Sequence, residues 1–400
     1  MKIFSLDLTK IQYLVVLIYL VFAINPYLRI NSFIWYSISL LTFIILMFIN
    51  INSFRLNFYH LWFIVFLLVQ VLSLFWARDV DVSLPTIMST ISRGMLLIPI
   101  VGFVNNSIQL IKIVKLFIFA SIINLIILLT QINLSSIGDI ELGVHLTGGI
   151  WAANSIGLWA ATVVLTIFLI NSKLEWSLSS IFVVIFQFIF AIVVLITGSR
   201  GSLLLLILGF LFIGLNRNRK HFIFNVTKSL ILVILLFYLS INVPLLNGII
   251  GFRVVNLFNN IVYGNQLDSS SQVRIQMIKY GLEWISKSPF LGYGINNFRI
   301  LYNQISGIEV YSHSNYIELL IGIGLIGTFV YYSIFVKIFK FTAKKSQFYE
   351  NGLPIYLPML IAILFLDIYV ITYNIFEIQF IIAIAFVSYR IANKKYQESI

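Results

Sequence analysis

Three side chains in this sequence are equipped to work on an anion. Arg200 lies in Thr197-Gly198-Ser199-Arg200-Gly201, Arg274 in the polar stretch that interrupts the chain between about Gly251 and Ser312, and His313 where that stretch ends. A guanidinium is a permanently charged planar fork that grips phosphate or carboxylate oxygens two at a time. An imidazole titrates near neutrality and can take a proton from a hydroxyl. Fixed positive charge and one titratable ring beside a membrane face suit an anionic substrate handled there.

Each of the three also has a plainer reading. Ser270 to Ser286 has the pattern of an amphipathic helix ending before Pro289. At about 100° per residue, Ile275, Ile278, Leu282 and Ile285 form one face and Gln272, Gln276, Lys279 and Glu283 the opposite one. Arg274 falls on the apolar side, where it either snorkels at a lipid interface or grips a phosphate. Arg200 sits in a turn between two spans joined by almost nothing polar, and placing an Arg in a bilayer costs roughly 2.5–3.5 kcal/mol. It either reaches lipid phosphate from a glycine-hinged hairpin or meets a ligand, with Gly198 and Gly201 allowing close approach and Ser199 and Ser202 adding donors. His313 is either a hydrogen-bonded structural residue or a base. Asn315, Tyr316 and Glu318 follow within two helical turns, and Asn315 or Glu318 could orient the ring.

Arg93 lies inside the fourth apolar span and needs a cavity or a carboxylate such as Asp367 or Glu377, as a structural ion pair or as a substrate contact. Asn154 starts a span and either caps its helix or donates to ligand oxygens. Pro289 to Phe298, with Gly292 and Gly294, reads as a compact turn. Asp139 and Glu141 stand apart, and no carboxylate cluster resembles a divalent-metal site. Nothing calls for a metal or another cofactor.

The elements that must position these residues follow from composition. The chain is 60% hydrophobic and 10% charged over 400 residues, against about 25% charged in soluble proteins. This indicates an all-α polytopic membrane protein. Apolar stretches recur near 11 to 24, 33 to 50, 60 to 76, 84 to 104, 110 to 130, 149 to 170, 178 to 197, 201 to 215, 222 to 246, 313 to 341, 355 to 373 and 374 to 391. Helices of such length cross ~30 Å of hydrocarbon, giving about twelve spans. Lys and Arg gather in alternate connections, among them Arg217, Arg219 and Lys220 and, further on, Lys340, Lys344 and Lys345. By the positive-inside rule both termini are cytoplasmic and the long loop, 247 to 312, is external. The net charge of +12 is then mostly that signature, and no nucleic-acid partner is expected. No cysteine is present, so no disulfide shapes the loop. The first span reads as an uncleaved anchor, and no internal repeat of the transporter kind appears. The expectation is a single membrane domain over 1–400 with one external lobe.

In order and spacing, these pieces resemble the O-antigen ligase and polysaccharide polymerase superfamily of bacterial envelope enzymes. The resemblance rests on Ser199-Arg200-Gly201, on Arg274 with Trp284 and Ser288 to Phe298, and on His313-Ser314-Asn315-Tyr316 followed by Gly322 to Gly327, together about 197 to 330. It implies a membrane-embedded glycosyltransferase of GT-C-like fold with one large external loop, acting at the outer face of the bacterial cytoplasmic membrane. The donor partner it implies is an oligosaccharide on undecaprenyl diphosphate, used without metal or nucleotide sugar. Arg200 and Arg274 would bind the diphosphate, and His313 would be the base in an inverting displacement. Arg93, Asn154, Asn315, Tyr316 and Glu318 would be supporting residues. The family's Pro-Asn element appears here as Ala152-Ala153-Asn154, without the proline. A polymerase acting on a second lipid-linked oligosaccharide is preferred, because the loop is only about sixty residues and lacks a patch for a phosphorylated core. A ligase acting on lipid A-core or another acceptor is the alternative. A lipid-linked oligosaccharide flippase is less favoured, because few charges line the spans. Membrane lipid is a further partner, and a chain-length regulator is an open one.

Overall fold

The computed structural model describes residues 8–131, 152–171, 180–216, 269–344 and 356–398, with scattered positions between 231 and 255. Within them the chain is helical and no strand occurs. The helices are α1 (Leu8–Ile24), α2 (Ser32–Ile49), α3 (Phe58–Leu72), α4 (Val80–Phe103), α5 (Ser107–Gln131), α6 (Ala153–Asn171), α7 (Ser180–Ile196), α8 (Arg200–Asn216), α9 (Ser269–Lys287), α10 (Phe298–Ser306), α11 (Asn315–Lys344), α12 (Leu357–Leu366) and α13 (Phe376–Gln397). Asn31, Asn57 and Asp79 begin α2, α3 and α4 by accepting from backbone N–H groups of the first turn, which satisfies donors a helix start leaves bare.

Among the described residues, six stretches are, by length and composition alone, long and apolar enough to cross a membrane: Ser32–Ile49, Phe58–Trp76, Val80–Phe103, Ser107–Gln131, Asn315–Phe341 and Phe376–Lys394. Shorter apolar helices, α1 and α12 among them, accompany these. The molecule is built as a membrane protein. On α2 the large side chains Phe33, Leu41 and Phe48 point outward, as lipid-facing residues do. α13 is central, packed against α4, α5, α6, α11 and α12, and Ile381 to Val387 are buried without a break. A helix apolar all round belongs inside.

α1 to α8 occupy the first eight expected spans to within a few residues. The span near 222 to 246 lies largely, and the loop segment 248–268 almost wholly, outside the described residues, and Asp139 and Glu141 lie outside them entirely. Two expectations need correction.

The apolar run near 313 to 341 is not one continuous rod. Gly324 has φ 65° and ψ −171°, which breaks α11. In a straight helix Asn315 and Tyr332 would stand about 25 Å apart, yet Asn315 Nδ2 donates to Tyr332 Oη at 2.9 Å. The arm 315–323 therefore folds back along the arm that follows. The run near 355 to 373 is helical only through Leu366, after which Asp367 to Ile375 is irregular until α13 starts. Its backbone is held from elsewhere, since Asn315 Oδ1 accepts from the N–H groups of Thr372 and Tyr373, both at 2.9 Å. As expected, α9 forms; its buried row is Met277, Gly281 and Trp284, while Ile275, Ile278 and Leu282 of the apolar face are exposed. Ile317 and Ile321 of α11 cover the buried row.

Candidate functional site

The turn 288–298 is the keystone of the segment between α9 and α11, and its glycines explain why. The broken α11 leaves backbone groups unpaired, and the turn supplies partners. The N–H groups of Tyr293 and Gly294 donate to the carbonyls of Ile321 and Gly322 at 2.7 and 2.9 Å, and the N–H of Leu325 donates to Pro289 at 2.8 Å. Such repair is what permits a break in an apolar helix. A Cβ on Gly324 would sit 2.1 Å from the carbonyl oxygen of Phe290, and one on Gly292 would sit 2.4 Å from that of Ile321. The other side of the turn is fastened to the start of α4. Asn297 accepts from the N–H of Asp79 at 2.7 Å and donates to Ser83 Oγ at 2.7 Å, while Ser83 donates to the carbonyl of Ile295 at 2.8 Å.

His313 follows this lobe in the short link before α11. Its backbone is left-handed, φ 57°, a conformation that costs a residue other than glycine about 1–3 kcal/mol and persists only when its surroundings impose it. The neighbours supply that constraint. Glu318 Oε2 accepts from the N–H of Ser312 at 3.0 Å, Ser312 Oγ donates to the carbonyl of Ser314 at 2.9 Å, and Ser314 Oγ donates to the carbonyl of Asp367 at 3.2 Å. The ring lies 4.4 Å from that of Tyr311, centre to centre. Burial first, and then the nearby Arg274 guanidinium, push the imidazole down to about 4. The ring is therefore neutral in the physiological range and has a lone pair to offer.

Asn315 and Glu318 do not orient the ring, contrary to what their proximity in sequence suggests. Glu318 serves the backbone of Ser312. Asn315 joins α11 to the segment after α12: its side chain contacts Tyr332, Asp367, Thr372 and Tyr373. Asp367 is further held by Tyr332 Oη at 2.6 Å and by Thr372. Tyr316 donates to the carbonyl of Leu364 at 2.9 Å and stacks on Tyr332. All three hold the frame on which His313 is set. Asp367 was not recognised in this role from sequence, although a carboxylate in an apolar run signals a polar partner.

Arg200 opens α8 directly after α7. Gly198, at φ 61°, ends the one helix in the left-handed conformation that glycine tolerates. Ser199 caps the next, accepting from the N–H and the hydroxyl of Ser202 at 3.3 and 2.8 Å. A Cβ on Gly157 of α6 would lie 2.4 Å from Ser202 Oγ, and one on Gly201 would lie 2.7 Å from Val370 Cγ2. The Arg200 turn thus rests on the segment that also receives Ser314 and Asn315. Arg274 lies within electrostatic reach of His313, and the Arg200 turn approaches the same segment, 367–375, that holds Ser314 and Asn315.

Arg93 is buried and donates to the carbonyl of Asn374 and, at 3.0 Å, to Thr90 Oγ1. Asp367 is not its partner, being occupied by Asn315 and its neighbours. Glu377 attracts Arg29 and, more weakly, Arg93. Arg93 lies thirteen residues into α4, about 20 Å along the helix from Val80, so Asn374 and the segment beside it lie well below that end of α4. Asn154 stands exposed in the first turn of α6.

No curated protein matches the chain. Residues 185–332, the stretch that holds Arg200, Arg274, the 288–298 turn and His313, match the family model described as O-antigen ligase, and the resemblance to the O-antigen ligase superfamily stands on that match.

Proposed function

We propose that this chain polymerises lipid-linked oligosaccharide repeat units into a surface polysaccharide, as a single membrane domain of about twelve spans with a GT-C-like fold. The observation that carries the reading is His313: a strained, neutral imidazole beside the guanidinium of Arg274. The acceptor hydroxyl gives its proton to His313 as its oxygen attacks the anomeric carbon of the donor sugar. The bond from that carbon to the undecaprenyl diphosphate oxygen breaks with inversion, and the diphosphate departs with its charge held by Arg274 and Arg200. The lipid diphosphate is already a good leaving group, so positioning, charge neutralisation and one proton transfer suffice. Arrival of a diphosphate beside Arg274 offsets the charge that disfavours imidazolium, which strengthens the base when the donor is present. Arg93, Asn154, Asn315, Tyr316 and Glu318 shape the site and bind no departing group. The reaction proceeds at the outer face of the bacterial cytoplasmic membrane, with both termini inside.

The family model that matches carries the ligase description, which favours one second reading: transfer of the glycan to lipid A-core or another acceptor. The test begins with His313→Ala and Arg274→Ala in cells. Both should insert normally and lose the polysaccharide ladder, and a normal ladder from either removes that residue from the mechanism. A deletion strain then separates the two readings. A polymerase defect leaves single repeat units on their final acceptor, whereas a ligase defect leaves long polymer on undecaprenyl diphosphate.

A further inference from the structure

A polar recess lies at the other end of α9 from Arg274. It is a cleft of about 450 Å³ between the turn before α4 and the turn after α9, lined in part by Trp76, Arg78, Ser288, Leu291 and Tyr293. Ser288 stands fourteen residues beyond Arg274, about 21 Å along the helix. Hydrogen bonds set its walls. Trp76 Nε1 donates to the carbonyl of Leu291 at 3.0 Å, the N–H of Arg78 to that of Tyr293 at 3.1 Å, and Tyr293 Oη to that of Trp284 at 3.1 Å. The Arg78 guanidinium covers the Tyr293 ring at 5.8 Å and is itself exposed. Lys287 directly precedes Ser288, which lines the cleft. Its pairing with Glu283 at 2.7 Å is solvent-exposed on both sides and holds the lysine weakly.

Around these two cations the surface is apolar. Phe75 is 85% exposed, Phe290 63% and Leu291 50%, as expected of side chains standing in lipid. Asp79, next to Arg78, turns its carboxylate to the start of α4, where it accepts from Asp81 and Val82. We propose that this cleft binds the phosphate headgroup of an anionic membrane lipid, with Arg78 and Lys287 on the phosphate and Phe75, Phe290 and Leu291 along the acyl chains. The geometry argues for phosphate over sugar. The guanidinium already lies over the Tyr293 ring on which a sugar would stack, and Arg78 is exposed, so its planar fork is accessible to phosphate oxygens.

The test uses the purified full chain in bilayers of phosphatidylcholine containing a fixed fraction of brominated lipid, either phosphatidylglycerol or phosphatidylcholine. Bromine quenches nearby tryptophan fluorescence, and subtracting the signal of Trp76→Phe isolates Trp76 among the seven tryptophans. At low salt, Trp76 should prefer the anionic lipid by at least about fivefold, and Arg78→Gln with Lys287→Gln should bring the preference close to unity. Arg78→Lys, which keeps the charge, should retain most of it. Equal quenching by both lipids in the unaltered chain overturns the proposal, as does an undiminished preference in the double variant. If millimolar inorganic phosphate abolishes the preference, the cleft takes free phosphate and the lipid assignment falls. None of these outcomes depends on sugar transfer.

Discussion

Replacing Arg274 with glutamine tests the electrostatic link on which the catalytic reading rests. The His313 imidazole is lowered from 6.5 to about 4, and burial is the larger of the two causes, ahead of Arg274. The guanidinium therefore accounts for less than half of a fall of about 2.5 pH units, and its removal should raise the midpoint by no more than about 1.2 units, to about 5. The direction is fixed: a neighbouring cation disfavours imidazolium, so taking it away lets the ring protonate at higher pH. The assay is diethyl pyrocarbonate labelling, which acylates imidazole only in its neutral form, followed by peptide mass spectrometry to resolve His313 from the other three histidines. The labelling rate plotted against pH should bend near 4 in the unaltered protein and higher, up to about 5, in Arg274→Gln. His60 is the control for folding, because its ring nitrogens bond the N–H of Asn57 and the carbonyl of Ile98, both at 3.1 Å, and it should resist the reagent in both. A midpoint near 6.5 in the unaltered protein, or the same midpoint in both proteins, would refute the reasoning. The same quantity predicts that kcat/KM for sugar transfer stays level as pH falls from 7 to about 5 and drops only below that.

Gly324→Ala combines a left-handed backbone with a Cβ 2.1 Å from the Phe290 carbonyl oxygen, so it should cost about 2–5 kcal/mol and lower the thermal midpoint of the purified protein. Gly307→Ala, also left-handed but with nothing within 4 Å of its Cβ, should cost only about 1–2 kcal/mol. Equal losses from the two would mean that the turn 288–298 does not fill the break in α11. Asn315→Ala strips partners from Asp367 and from the N–H groups of Thr372 and Tyr373, and each buried group left bare costs about 1–3 kcal/mol. It should lose polysaccharide in cells together with thermal stability, whereas His313→Ala should lose polysaccharide alone.

The helical course of α1 to α8, the span of α9 and the compact turn after it were legible in the sequence, because each depends on local chemistry. Apolar stretches long enough to cross lipid, Asn and Asp at helix starts, and proline and glycine after α9 act within a turn or two of themselves. The resemblance that singled out Arg200, Arg274 and His313 was legible for a related reason, being a matter of residue type and order. Which stripe of α9 is buried was not legible, because in a membrane protein the lipid-facing row is as apolar as the packed row and periodicity cannot rank them. Nor was the break at Gly324. A glycine in an apolar run is compatible with unbroken helix, and only the arrival of Pro289 to Gly294, with backbone groups to match those left free, makes the turn-back favourable. The same holds for Asn315 and Asp367, fifty-two residues apart. Their types announce that polar partners are needed, but which partners they find is decided by how α11 folds back on itself, and that places the frame beneath His313.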